Sequence, residues 1–395
     1  MSSWRFVATD LRTNAVLAEL PLRDVVFSDV LNGAGDFSAT LPLVGRGQLL
    51  GGSAALDSSG DPILDEDGVP ITVAPGPASP LMLATLWTSS SIPGRTAVWC
   101  IRNDTPVGAA IIWVRRRGMA RPVELTGAGF WSLFRLQHLR VSKSYAAVDQ
   151  LAIARDLVST AQAVTGADID VTVNAETSPV VRTVAWAAYE LKNIGEAVEE
   201  LAGLDGGFDF AVDLTPSLGK VLTLSYPRRG RIAGATGIVF AAGKNLLDYE
   251  VIEDDSASAR TFTAIGAGDG EDMLVSTATR TDLIDTGYPL TSQVSAWKDE
   301  TVAANLNARA LAGAAAYAQT PTKWRVTIDP DDIDGGIGTF ITGDEVLLVI
   351  DDDDNFPAQS DGSPGYERYH RVLSWRVAID GDGVETLDVE LGDVA

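Results

Sequence analysis

The apolar residues of this chain arrive in short alternating runs broken by Gly, Asn, Asp and Pro, a pattern that commits most of it to β-structure. Runs at 4–9, 16–20 and 24–30 open the sequence. A turn at Asn32-Gly33-Ala34-Gly35 then leads into 36–43, where Phe37, Ala39 and Leu41 share one face. Strand patterns resume at 81–87, 96–102 and 107–115, the last two forming a hairpin across Asn103-Asp104-Thr105-Pro106. The stretch 123–134 closes this section with aromatic packing. Between the two groups, 45–80 is dominated by Gly, Ser, Asp and Pro and reads as a long insertion, either a surface loop or a small hairpin.

The period changes in the middle of the chain. Residues 149–161 have helical spacing, with Leu151, Ala154, Leu157 and Val158 on one face. A second helix over 193–202 buries Ile194, Val198 and Leu201 and stops at Gly203. Strands at 208–213 and 221–226 follow as an antiparallel pair. After the linker-like basic turn Pro227-Arg228-Arg229-Gly230-Arg231, β-patterning returns at 239–240, 246–253 and 260–266. One helix, capped by Thr301, runs over 302–312 and beyond, ending before Pro321. Strands at 324–328, 345–350 and 369–377 precede a final hairpin that turns at 380–383 into 385–391. The predicted class is mainly β (α+β), with two β-rich sections flanking an α/β middle.

Charge narrows the function. Thirty basic against 54 acidic residues leave a net charge of −24, which argues against stable nucleic-acid binding because phosphate recognition needs a cationic surface. No run approaches the ~18 apolar residues of a membrane span, and the N-terminus does not read as a signal peptide. A soluble protein assembled in the cytoplasm is expected. The single cysteine, Cys100, excludes an internal disulfide and a multi-cysteine zinc site, and its apolar neighbours mark it as a small buried hydrophobe.

No candidate chemistry coheres. A Cys100–His138 nucleophilic pair has nothing around it in support. Asp57 and Asp61, with Asp65, Glu66 and Asp67, miss the ligand spacing of a calcium loop. Arg115, Arg116, Arg117 and Arg121 read as an exposed strand end or as salt-bridge donors. Glu196, Glu199 and Glu200 read as a solvated helix face. The stretch Gly266-Ala267-Gly268-Asp269-Gly270 has Glu271 where a dinucleotide loop needs Gly, and a strand follows it. Asp351 to Asp354 read as a solvent loop, and His370 as a structural histidine. The expectation is therefore no catalytic, cofactor-binding or metal-ligating residue, and no enzyme.

Four stretches carry a resemblance. They are 27–42, 93–99 leading to Ile111-Ile112-Trp113, 125–134, and 244–251 with the later Gly266-Ala267-Gly268. Together with the order of elements, they resemble the tail hub and minor tail proteins of siphophages, of the actinobacteriophage type. That family is related to the myophage baseplate hub and to the N-terminal module of tail-associated lysins. A GC-rich coding bias agrees, since only six of the 30 basic residues are Lys. The 45–80 insertion departs from the family pattern.

The resemblance implies an architecture. A first tube-like β-barrel domain would span 1–142, an α/β middle domain 143–230, and a second tube-like β-barrel domain with one helix 231–395. It further implies a homotrimer presenting a pseudo-sixfold ring at the tail tip of a virion. Its partners would be the distal tail protein, the tape measure protein and other tip proteins, and DNA would pass through an acidic lumen without binding. Two competing readings are a wall-degrading lysin or endopeptidase and a carbohydrate-binding tail protein. The first expects a catalytic domain after the final hairpin, where the sequence given stops. The second expects exposed Trp, whereas most of the nine Trp sit in strand patterns.

Overall fold

The computed structural model describes residues 3–42, 53–54, 72–73, 87–119, 121–256, 258–317, 322–352 and 354–394. The acidic residues 57–67 and Asp353 lie outside them. The chain is mostly β, as its alternation requires. The N-terminal section supplies β1 (Trp4–Asp10), β2 (Val16–Glu19), β3 (Arg23–Val30), β4 (Asp36–Leu41), β5 (Ser53–Ala54), β6 (Thr72–Val73), β7 (Thr96–Arg102), β8 (Thr105–Gly118) and β9 (Arg121–Ala128). The middle supplies β10 (Lys143–Asp149), β11 (Val171–Val173), β12 (Val181–Trp186), β13 (Asp209–Leu214) and β14 (Lys220–Ser225). The C-terminal section supplies β15 (Val239–Ala241), β16 (Leu246–Glu253), β17 (Thr261–Ile265), β18 (Val275–Thr279), β19 (Ser292–Ala296), β20 (Thr322–Ile328), β21 (Glu345–Ile350), β22 (Tyr366–Ile379) and β23 (Glu385–Asp393).

Both ends of the chain enter one sheet, in the order β16-β20-β23-β22-β3-β4-β9-β8-β7-β1-β2, with β21 and β15 branching from β22. The seam is antiparallel, with Ser374 opposite Val30 and Ile379 opposite Val25. Within that order lies a repeat. The four strands β3, β4, β8 and β9 stand in space as first, second, fourth, third, and β16, β20, β22 and β23 stand in the same order and direction.

The third strand of each repeat is 14 residues long. Each is bulged near its middle, between Ile112 and Val114 or between Val372 and Ser374. The bulge lets one strand serve two neighbours. Residues 105–111 pair with β7 and 366–371 with β21, and the chain beyond each bulge runs on into the repeat. Among the described residues these pairings form an open path and close into no barrel.

Packing explains the apolar patterns. β7 is buried along nearly its whole length because both its faces are covered. Val98 and Cys100 join a core shared by the two repeats, with Phe27, Trp324, Val346 and Val389. Ala97, Trp99 and Ile101 join a second core under the helices Gln150–Gln162 and Ile194–Ala202. Asp149 and Asn193 cap those helices, accepting from the Leu151 and Glu196 amides. The β7–β8 hairpin turns on Asn103 and Asp104, both left-handed at φ 47° and 63°, as a two-residue turn requires.

A third core lies between the helix Ala303–Tyr317 and the small sheet β18-β17-β19, built on Phe262, Ala264, Leu306, Ala310 and Ala314. The sequence reading placed this unit within 231–395, where it has its own sheet and core. The helix begins one residue later than the reading placed it. Just before it, Glu300 accepts from the Val302 amide at 3.0 Å.

Candidate assembly surface and charged seam

Alternation puts one face of the two repeats against the core and leaves the other polar. Cross-strand rows define that second face. Glu250, Arg325, Glu390 and Ser374 form one row, and Asp248, Thr327, Asp388, Arg376 and Ser28 the next. On the other repeat, Thr40, Glu124 and Arg116 make a third. Opposite charges alternate across the strands: Arg325 lies 3.5 Å from Glu250, and Thr327 donates to Asp388 at 2.9 Å. Lys323 reaches Glu390 at 3.6 Å. These rows carry five carboxylates against three arginines, so they are mildly acidic and hold only a small part of the net charge of −24.

This face ends in two strand flanks that carry no partner strand among the described residues: the outer flank of β16, and the flank of β8 beyond its bulge.

The basic turn at 227–231 is a clamp between the middle of the chain and the second repeat. Arg228 pairs with Glu345 at 2.7 Å and Arg231 with Asp344 at 2.5 Å, and both carboxylates are buried. Arg229, 4% exposed, holds Asp213 through both terminal nitrogens, at 2.9 and 2.5 Å, and donates its Nε to the Thr342 carbonyl. Asp209 accepts from the Arg229 amide, from Asn32 and from Arg371. Gly230 makes this approach possible: at φ 94°, a Cβ there would lie 2.2 Å from the Gly343 backbone.

The residues weighed from the sequence are scattered. Cys100 is fully buried and burial pushes its thiol up, while His138 is exposed on another segment, so they form no nucleophilic pair. Arg115 donates to the Thr88 and Ser91 carbonyls, and Arg116 faces Glu124 at 3.9 Å. Glu199 and Glu200 are not a solvated face. Glu199 accepts from Trp131 at 2.7 Å and Arg135 at 2.6 Å, and Glu200 pairs with Lys192 and Arg309. Gly268 precedes a short turn of helix and then β18, not a nucleotide-binding helix. Asp352 accepts from the Phe356 amide, from Tyr249 and from the Asn355 and Asp354 amides, and these bonds together hold its carboxyl down at about 2. It orders its own loop. No metal-binding group occurs among the described residues, and none of the nine Trp is exposed.

His370 is buried at 2% exposure. Its Nε2 lies 2.7 Å from the Tyr366 hydroxyl and its Nδ1 3.2 Å from the Gly392 carbonyl, so the neutral Nδ1–H form satisfies both. Burial pushes its pKa below 6.5. The unfolded chain therefore takes up the proton first, and this contribution to stability is full above about pH 6.5 and lost as pH falls through the folded value. Melting temperature should drop between about pH 7.5 and 5.5, and His370→Gln should flatten that slope. An unchanged slope in the variant would remove His370 as the cause.

No family model matches the sequence, and no curated protein matches it. Solved structures do match the fold. The tail protein from Neisseria meningitidis MC58 superimposes with a TM-score of 0.59 at 13% identity, covering 98% of this chain and 96% of that one. The 43 kDa tail protein of prophage MuSo2 from Shewanella oneidensis gives 0.56 at 9% identity, covering 98% of each chain. The prophage tail protein gp18 from Listeria monocytogenes EGD-e gives 0.51 at 10% identity, covering 99% and 94%. The chain has the fold of these tail proteins from end to end, in line with the tail-hub resemblance of its sequence.

Proposed function

We propose that this protein is a structural tail-tip hub subunit of a long-tailed bacteriophage. Three copies form a pseudo-sixfold ring that joins the distal tail protein and tail tube to the tip. The observation that carries this reading is the tandem repeat. Inside one chain, the third strand of one repeat (β22) pairs with the first strand of the other (β3). The two open flanks are again a third strand (β8) and a first strand (β16). The same junction made between chains adds repeat to repeat in one direction, a heterologous contact that closes when the rotation allows. Three chains then present six equivalent repeats, the match to a hexameric ring above. The divisions 1–142, 143–230 and 231–395 describe the first tube-like domain, the middle and the second.

In this ring the polar rows face the channel. Their small excess of carboxylates over cations gives DNA phosphates no cationic surface to hold, so DNA passes without binding. Acidic loops elsewhere add long-range repulsion. The tape measure protein and other tip proteins are the further partners, and the virion tail is the site of action.

A wall-degrading activity would need a catalytic group that the sequence and the described residues do not assemble. Light scattering with negative-stain imaging tests the proposal. A mass of three times the 41.7 kDa chain with ring-shaped, roughly sixfold projections is expected. A monomer at high concentration that also solubilises peptidoglycan would overturn it.

A further inference from the structure

A cavity of about 440 Å³ opens where the three sections of the chain meet. Val107, Phe130, Trp131, Phe340 and Trp375 supply apolar and aromatic wall, and its charged lining is Asp29 with the Asp213–Arg229 pair, two carboxylates to one cation. Asp29 is out of place by its own strand's logic. In β3, Val25 and Phe27 are buried in the core, and Asp29 continues that row, directly opposite Trp375. An acid on a core-facing row is costly unless something compensates it. The Thr342 hydroxyl donates to Asp29 Oδ2 at 2.9 Å, but no ion pair to Asp29 occurs among the described residues. Arg229, the cation nearest at hand, is committed to Asp213 and to the Thr342 carbonyl.

We propose that this cavity is a binding site for a cation carried on an apolar or aromatic stem, a guanidinium or ammonium group, with Asp29 as its counter-ion. The volume falls within the range of small-ligand sites, and aromatic walls beside a carboxylate suit a planar guanidinium, which stacks and pairs at once. Burial raises the Asp29 carboxyl above its ordinary value. A bound cation opposes that effect, so binding favours the ionised carboxylate and strengthens as pH rises. The source is either a free amphipathic amine or guanidine, or an arginine side chain on another protein. The site is argued independently of the ring, since solution mass reads the ring and the titration below reads only the cavity.

The experiment is a ¹⁹F NMR titration of the full chain labelled with 5-fluorotryptophan, following Trp131 and Trp375. Benzylguanidine is expected to shift both resonances saturably, about tenfold more tightly than neutral benzylurea. Asp29→Asn should abolish that preference. Val107→Trp fills the cavity while leaving Asp29 in place, and should abolish binding even if the first variant folds poorly. In a second arm, N-acetylarginine methylamide shifting the same resonances assigns the source to a partner's arginine. Response to benzylguanidine alone assigns it to a small molecule. Equal response to guanidine and urea, an undiminished preference in either folded variant, or no saturable shift by about 10 mM of the guanidines would overturn the proposal.

Discussion

Replacing Arg229 with methionine is expected to lower the stability of the chain by about 2 kcal/mol, less than the cost of stranding a fully buried charge because Asp213 is 39% exposed and partly solvated. The magnitude follows from what the guanidinium leaves behind. Asp213 loses both of its bonds from Arg229, the Thr342 carbonyl loses its Nε donor, and the neighbouring Asp209 keeps its carboxylate in a site only 7% exposed. The double variant Arg229→Met with Asp213→Leu should recover part of the loss, because no stranded charge remains at that pair. Arg231→Met should cost at least as much, since it strands Asp344, which is fully buried, even though Arg231 itself is half-exposed. Urea unfolding of the three variants checks this order. A loss below about 1 kcal/mol for Arg229→Met would mean that water already solvates the seam.

The second large effect concerns assembly. Proline placed along β8 beyond its bulge, or along β16, should alternate in outcome with a period of two. At one parity the N–H points to the open flank. Proline there should leave the monomer's melting temperature nearly unchanged and weaken ring formation by about 3 kcal/mol per junction, on the order of a hundredfold. At the other parity the N–H points inward to β9 or β20, and the monomer itself should melt lower. Light scattering and thermal melts on each variant separate the two. Rings that survive proline at every position of both strands would show that these flanks are not the junction, and the ring would need another contact.

Much of the fold could be read from residue order alone. The alternation in 36–43 and 324–328 reproduces the buried rows of β4 and β20, and the helices read at 149–161 and 193–202 begin one residue later, with Asp149 and Asn193 as their caps. These signals are local, set by the period of a strand or by the first turn of a helix. The repeat was not legible, because strand order depends on partners hundreds of residues apart and the two halves keep topology without keeping sequence.

The seam was half legible. Arg228, Arg229 and Arg231 stood out as a basic turn, but their carboxylates sit at 213, 344 and 345. Lys220 was missed altogether. It lies buried, donating to the Leu11 carbonyl at 3.0 Å and to that of Ile169, and burial pushes its amine down to about 8. A lysine within an alternating strand looks like any solvent-facing residue until the chain closes over it. Asp29 could have been noticed, since Val25, Phe27 and Asp29 share a parity in the sequence itself.

The seam between β3 and β22 also sets an order of events during synthesis. Residues 23–30 leave the ribosome more than 340 residues ahead of their partners at 374–379, so the first repeat waits with an open strand while the intervening chain is translated. That waiting strand is a first strand of the kind that accepts the third strand of another repeat, and a second nascent chain could supply one. The finished chain removes the hazard by occupying the position itself at high effective concentration. A chain cut before Tyr366 should therefore run as a ladder of ill-defined oligomers, and adding the missing hairpin in trans should collapse the ladder. By this logic the β22–β23 hairpin should act on β3 as a built-in chaperone, withholding from ordered growth any chain that lacks it.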